Sequence, residues 1–512
     1  MVRTRQREWL ATCSKPFSSA TSRFTLERAR TPFRSRGSPQ EVAVTPSTTE
    51  LRRREDTDLP TRLAKSAATE QGAFLQTEHF DLWLTERWLA NAFRVERIPF
   101  ADLDLWYTEQ ETGNIRHQSG KFFTVEGLKV DTPTRSWSQP IIRQPEVGML
   151  GILVKEFNGV LHCLMQAKME PGNPNLLQLS PTVQATKSNY TRVHKGAKVK
   201  YLEYFAEGAQ RGKVIVDVLQ SEHGSWFYRK SNRNIVVEVT EDVPLDDDFC
   251  WLTLGQVNTL LHRDNLVNMD SRTVLSCLPA PGYAEPANDF QAALLASRDP
   301  HAGALSATPD VLSWFTGQRA DHDIDVSRVP LGEVPGWIRT EDEISREDGK
   351  FFRCVAVRAI AGNREVTSWT QPLFEQHGRG VAAFIVKQFA GVLHVLVHAR
   401  LEGGFLDTVE LGPTVQCVPG NYHDAERPPF LDHVLAAEKS RIHYSTVHSE
   451  EGGRFLDTES DYLVVEADED FPADVPPQYT WVTVGQLTDL LRHGRYVNVQ
   501  ARTLVAALNA LG

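Results

Sequence analysis

From Leu161 to Glu170 the chain alternates as a strand does. Leu161, Cys163, Met165, Ala167 and Met169 lie on one face, and His162, Leu164, Gln166, Lys168 and Glu170 on the other. The second face brings together an imidazole, an amide, an ammonium and a carboxylate, the groups from which general acid–base sites are built. A further stretch repeats the division, with Gln178, Ser180, Thr182, Gln184 and Thr186 set against Leu177, Leu179, Val183 and Ala185. Alternation alone leaves two readings open: a solvated outer face, or the polar floor of a pocket.

Asn158-Gly159 between two apolar runs is a strong hairpin signal. A two-residue turn there pairs Phe157 with Val160, Lys155 with His162, Val154 with Cys163 and Gly151 with Gln166. The whole stretch from Met149 to Tyr190 returns at Val381 to Tyr422, so the chain is a duplicated module. Other pairs recur in the same order. Gly120-Lys121-Phe122-Phe123 matches Gly349-Lys350-Phe351-Phe352, Ser136-Trp137-Ser138-Gln139-Pro140 matches Ser368-Trp369-Thr370-Gln371-Pro372, and the strand Ile235–Val239 matches Leu463–Ala467. Each copy closes in helices, with Thr253/Gln256 and Thr483/Gln486 at capping-box spacing. The spacing predicts a further helix over 74–93 ahead of the first copy. Residues 279–305 read as a linker, and residues 1–66, rich in Arg, Ser and Pro, as a disordered extension. An upstream start site that is not the one used would account for it.

With 512 residues, 41% hydrophobic and 24% charged, the chain has room for two full cores. No apolar run approaches the roughly 18 residues that span a bilayer. The six cysteines lack CxxC spacing and mostly sit in apolar runs, which favours buried thiols and a reducing cytoplasm. A net charge of −11 argues against nucleic acid as a partner, though not against a small anion. Rossmann and P-loop glycine motifs are missing. His394 and His398 suggest a metal pair, but four residues along a strand separate them by roughly 13 Å, so no metal is expected there.

The motif Gln166 to Gly196, QAKMEPGNPNLLQLSPTVQATKSNYTRVHKG, with GKFF and SWSQP before it and PTVQ in the second copy, resembles the NDP-hexose 2,3-dehydratases of deoxysugar biosynthesis. The likeness runs from about residue 74 to the C-terminus. It implies an α+β fold made of two tandem Nudix-like modules, each a mixed sheet with flanking helices, in a homodimer. The Nudix hydrolase signature is missing, so pyrophosphate hydrolysis is not implied. The implied substrate is dTDP-4-keto-6-deoxy-D-glucose and the implied product a 3,4-diketo-2,6-dideoxy sugar nucleotide, captured by a downstream 3-ketoreductase. No cofactor is called for, because the C4 ketone already acidifies the C3 hydrogen.

Under that resemblance Lys168 becomes an enolate-stabilising cation, Glu170 a carboxylate base, His162 an acid/base group and Tyr190 a donor to the C4 oxygen. Lys155, Gln166, Asn173, Ser180, Thr182 and Gln184 become substrate-binding residues. Arg192 and Lys195, in a cationic run with His194 and Lys198, suit the diphosphate, and Trp137 suits the thymine. The matching second-module pocket comprises His394, His398, Arg400, Glu402, Thr414, Gln416, Tyr422 and Trp369. The basic run is lost in the second copy, and Lys168 becomes Arg400. The first module, 67–278, is therefore expected to carry the chemistry, and the second, 306–512, to be a degenerate binding or scaffolding copy. Two rivals stay open: a non-catalytic nucleotide-sugar binding protein, and an isomerase or epimerase that forms the same enolate without expelling the hydroxyl.

Overall fold

Asn158 and Gly159 both take positive φ, 52° and 74°, the backbone a two-residue primed turn demands. In the second copy Ala390 and Gly391 do the same, at 50° and 80°. The hairpins that follow are the spine of a mixed α+β structure, a computed structural model that describes residues 58–187, 199–206, 212–280, 285–301, 303–321, 323–361, 368–423 and 426–512. Tyr190, Arg192, His194, Lys195 and Lys198 lie outside the described residues.

The first module contains β1 (Phe93–Ile98), β2 (Trp106–Thr108), β3 (Ile115–His117), β4 (Thr124–Asp131), β5 (Ser136–Arg143), β6 (Gly148–Phe157), β7 (Val160–Met169), β8 (Leu177–Ser180), β9 (Val183–Ala185), β10 (Lys213–Ser221), β11 (Ser231–Val239) and β12 (Phe249–Thr253). The second repeats them as β13 (Asp325–Val329), β14 (Trp337–Arg339), β15 (Glu343–Arg346), β16 (Phe352–Ala361), β17 (Ser368–Gln376), β18 (Gly380–Phe389), β19 (Val392–Leu401), β20 (Val409–Gly412), β21 (Val415–Cys417), β22 (Ile442–Ser449), β23 (Glu459–Glu466) and β24 (Tyr479–Thr483). The helices are α1 (Leu59–Ala67), α2 (Phe80–Ala90), α3 (Leu254–Leu261), α4 (Met269–Ser276), α5 (Asp289–Ala296), α6 (Thr308–Ala320), α7 (Leu431–Leu435), α8 (Val484–Leu491) and α9 (Val499–Ala510). None of them is long and apolar enough to cross a membrane.

Each module has a seven-stranded sheet, in which the parallel pairing of β11 with β6, and of β23 with β18, makes it mixed. The hairpin register is Phe157↔Val160, Lys155↔His162 and Val154↔Cys163, as the sequence indicates. Pairing stops at Leu153↔Leu164, however, so Gly151 meets Val183 of β9, while Gln166 meets Ser180 of β8. The cause is Thr182. Its buried hydroxyl donates to Leu164 O and accepts from Leu153 N at 2.9 Å, standing where a backbone rung would be. Thr414 repeats the wedge between Leu396 O and Ile385 N.

The capping boxes at Thr253 and Thr483 form as read. Two boundaries shift. Residues 279–305 are not simply a connector, since α5 buries Phe290, Ala293 and Leu294 in the second module's core. Its counterpart α1 lies inside the stretch read as disordered. Ser66 and Ser297 at the ends of these helices accept from Leu254 N and Val484 N, the first amides of α3 and α8.

The modules interlock. Strand β1 leads the first module but pairs with β16 of the second, and β13 leads the second but pairs with β4 of the first. A shared core of Trp106, Phe123, Ile142, Phe227, Phe352, Phe374 and Phe455 fills the space between them. Two buried arginines tie the centre in a pseudo-two-fold arrangement. Arg272 donates to Val267 O and across to Ser449 O, and Arg502 to Val497 O and across to Ser221 O. R272M and R502M, which leave two carbonyls each without these donors, should each lower stability by roughly 3 kcal/mol. A drop in the urea midpoint followed by circular dichroism reads this out, and an unchanged midpoint contradicts the lock.

Candidate functional site

Once Thr182 has parted β6 from β7, the end of β7 diverges and presents Lys168 and Glu170 beside the strand pair β8–β9. Lys168 Nζ sits 3.3 Å from Glu170 Oε1, which also accepts from Gln184 Nε2 at 2.9 Å. Gln184 Oε1 accepts in turn from Asn268 Nδ2 at 3.0 Å, and Asn268 caps α4 by accepting from Ser271 N. The relay thus fixes Glu170 to the N-terminus of α4, whose first turn carries Asp270.

A segment of the second module completes the group. Gly172 N donates to Gly452 O at 2.7 Å and Asp457 N to Gly172 O at 2.9 Å, locking the 450–457 turn onto the loop after Glu170. The fit leaves no room for side chains there. A Cβ on Gly172 would come within 1.7 Å of Phe455 O. The turn brings in Glu451 and Arg454, both partly exposed, and Arg454 bonds Gln144 Oε1 at 3.2 Å. Glu222 and Lys230, almost fully buried, flank them from the first module.

Four carboxyl groups and three cations therefore share one cluster. Burial, reinforced by Glu451, Glu222 and Glu170 and opposed by Lys168, holds Asp270 well above the usual carboxylate range. Burial likewise pushes Glu451 up to about 7, with Glu222 and Glu170 adding to it and Arg454 and Lys230 opposing. Lys230 is brought down to about 8 by burial, against the pull of Glu222 and Glu451. Three acceptors here, Asp270 Oδ1, Glu222 Oε2 and Asn173 Oδ1, have no hydrogen-bond partner among the described residues, although each residue is at most 3% exposed. Buried acceptors without donors are rare and costly, so the fold carries an unmet cost at this cluster.

The second module repeats the relay. Asn498 Nδ2 donates to Gln416 Oε1 at 2.8 Å, Gln416 Nε2 to Glu402 Oε1 at 3.2 Å, and Arg400 Nε to the same oxygen at 2.7 Å. It opens on a cavity of about 650 Å³ that also touches Trp137, Trp226, Trp337 and Tyr422. Part of its charge is paired internally, although Glu410, opposite Arg400, keeps one buried oxygen without a partner among the described residues. Gln500 replaces Asp270 and meets His223 Nδ1 at 2.7 Å, while His223 Nε2 faces Glu450 Oε2 at 3.1 Å. Burial works to lower His223, but Glu450 outweighs it and the ring ends above its ordinary value. Phe405 stands where the first module has Asn173 and packs over Gly224.

Of the residues singled out from the sequence, Lys168, Glu170, Gln184 and Asn173 come together, and Gln166 shares their strand face. His162 does not join them. Its Nδ1 faces Val160 O at 2.9 Å and its Nε2 accepts from Ala73 N at 3.1 Å, at the far end of β7. Lys155 is bound to Glu241 O and Asp242, the buried Ser180 hydroxyl to Pro181 O, and Thr182 is the wedge. In the second copy Arg400, Glu402, Gln416 and Tyr422 line the cavity. His394 is held by Val392 O and Leu305 N, and Thr414 is the second wedge. His398 stacks on Tyr479 and is lowered to about 3 by burial, with Arg400 adding to it. The tryptophans change places. Trp137 lines the second module's cavity, because β4 and β5 pack across, whereas Trp369 packs on Phe93 of the first module.

Reading the strands missed Asp270, Glu222, Lys230, Glu451 and Arg454. A signal existed in the repeat. Asp270 aligns with Gln500, Lys230 with Thr458 and Arg454 with Trp226, so polarity departs at the same places where the backbones agree.

The family model described as NDP-hexose 2,3-dehydratase matches residues 77–278 and 308–508. The chain is 57% identical over 478 residues to the dTDP-4-dehydro-6-deoxy-alpha-D-glucopyranose 2,3-dehydratase of Amycolatopsis orientalis, covering 91% of this chain and 97% of that one. It is 51% identical to proteins of the same description from Saccharopolyspora spinosa (88% and 95% covered) and Streptomyces violaceoruber (85% and 97%).

The buried carboxyls make stability depend on pH. Glu451 binds its proton more tightly folded than unfolded, so its contribution is full below its ordinary 4.5 and is lost as pH rises through about 7. Asp270 acts in the same direction. Denaturant midpoints of the ligand-free protein should fall across that window, and D270N should flatten the fall; an unchanged slope in D270N contradicts the burial of that charge.

Proposed function

The chain belongs to the NDP-hexose 2,3-dehydratase family, and from that membership we propose that the first module's charged cluster is where it removes water across C2 and C3 of dTDP-4-keto-6-deoxy-D-glucose. The enzyme is a carbon–oxygen lyase, and its product is the 3,4-diketo-2,6-dideoxy sugar nucleotide. One observation carries the placement: Glu170 and Lys168 are joined at 3.3 Å within a buried cluster that also contains three acceptors without donors.

The C4 ketone acidifies the C3 hydrogen, and Glu170 takes it as base. As Glu170 loses its charge, Lys168 is left with its own facing the enolate oxygen, which is stabilised most where water is excluded. A carboxylic acid of the cluster gives its proton to the C2 hydroxyl, which leaves as water. The enol at C3 then becomes a ketone as C2 is protonated.

The same reading treats the second module as a degenerate binding or scaffolding copy, supported by neutral Gln500 in the place of Asp270 and by the pairing of His223 with Glu450. Nudix-like modules, a homodimer, a cytoplasmic location and a downstream 3-ketoreductase extend it on family likeness.

The decisive measurement is product mass. Pure protein given the 4-keto sugar nucleotide, with a trapping ketoreductase present, should yield a product that has lost one water before reduction. An unchanged mass would favour the isomerase or epimerase, and binding without turnover the non-catalytic binding protein. K168A and E170Q should slow turnover by about 100-fold or more. R400A and E402Q are the matched comparison, and an equal loss there would move the chemistry to the second module.

A further inference from the structure

The chemistry assigned to the first module needs a base at C3 and an acid at the neighbouring C2, hence two groups a few ångströms apart. Glu170 supplies the first. Among the carboxyl groups around it, Asp270 and Glu222 are each 3% exposed, whereas Glu451 keeps accessible surface. A point beside Gly453, where its Cβ would stand, lies 2.6 Å from Glu451 Oε1 and 3.6 Å from Glu170 Oε1, so the two carboxyl oxygens approach the same spot. No hydrogen bond among the described residues reaches Glu451's carboxyl from a side chain that would hold it ionised, and its neighbour Arg454 is turned to Gln144 and Gly453 O instead. We propose that Glu451, carried across from the second module, is the acid that protonates the departing C2 hydroxyl in the first module's site, an inference that rests on the dehydratase reading above.

The step balances without another reagent. The C3 proton passes to Glu170 as its electron pair enters the C3–C4 bond and the C4 oxygen becomes the enolate; the pair then returns to form the C3–C2 double bond. The C2–O bond breaks while Glu451 gives its proton to that oxygen, and water leaves. The enol hydroxyl at C3 then returns a proton to the Glu451 carboxylate as Glu170 delivers the proton it holds to C2, which restores both groups. The groups facing Glu451 come from every neighbouring element: Glu170 after β7, Glu222 after β10, Lys230 before β11, Asp270 on α4 and Arg454 on its own turn. Three of these five are carboxyls, which favours a protonated Glu451 before the reaction. The second module's own pocket has His223 at the matching place, engaged at both ring nitrogens.

A leaving group that needs no proton separates this role from mere support. The full-length protein is assayed on the natural 4-keto sugar nucleotide and on its 2-deoxy-2-fluoro analogue, which expels fluoride. E451Q should lose 100-fold or more in kcat on the natural substrate, with KM within about twofold, yet release fluoride within about threefold of the unaltered rate. E170Q should be slow on both. E451Q at full rate on the natural substrate, or equally slow on both, overturns the proposal while leaving the site intact if E170Q is slow; E170Q and E451Q both at full rate would mean that the site reading itself is wrong. Should E451Q not fold, the unaltered enzyme decides. Its kcat/KM on the natural substrate should fall as pH rises through about 7, while fluoride release should not, and parallel profiles overturn the assignment.

Discussion

A single hydroxyl between two strands governs most of what this chain can do. Thr182 offers Leu164 O a donor and Leu153 N an acceptor, so the hairpin is satisfied at the point where it stops being a hairpin. A backbone rung there would zip β6 to β7 along their length. Because the hydroxyl stands in for it, Leu153 N and Leu164 O keep a partner and the strands can part. The gap admits β9 against β6 and β8 against β7, and Gln184, two residues beyond the wedge, arrives where it can bond Glu170. Thr414 does the same for Gln416 and Glu402.

That shared geometry makes the divergence of the copies easy to read. Both hold a glutamate through a glutamine that is itself held by the helix-capping asparagine. Around the first glutamate stand Asp270, Glu222 and Glu451 against Lys168, Lys230 and Arg454, a crowd of charges with acceptors left over. Around the second, Gln500 is neutral, Glu450 meets His223, and Phe405 closes on Gly224. Unmet buried polar atoms cost stability, and such a cost is expected where a ligand repays it on binding.

Much of the local structure was legible in the residues. Asn158-Gly159 set the turn, the two-residue period separated the faces, and Thr253 with Gln256 began a helix where expected. What escaped reading was non-local. Thr182 looks like one more polar residue in an alternating strand, and nothing in its neighbours says that it is buried with both of its hydrogen-bonding partners on other strands. His162 looks like an acid/base group until Ala73 N, 89 residues earlier, is seen to occupy its ring. Trp137 was placed with the wrong pocket, since the crossing of β4 and β5 onto the other module has no local signature. Lys168 and Glu170 could be read as neighbours because they lie on one strand; the approach of Glu451 could not, because it comes from the other copy.

The exchange of leading strands also sets an order of events during synthesis. When β4 leaves the ribosome, the strand that will cover its edge, Asp325–Val329, has yet to be made. The edge stays open meanwhile, the kind of surface on which nascent chains pair wrongly with one another. The charges at its rim, Lys129 and Asp131, are the sort that discourage such pairing. The first half of this protein is thus a guest awaiting its host, and separating the gene into two halves would yield two chains that must find each other before either could finish its sheets.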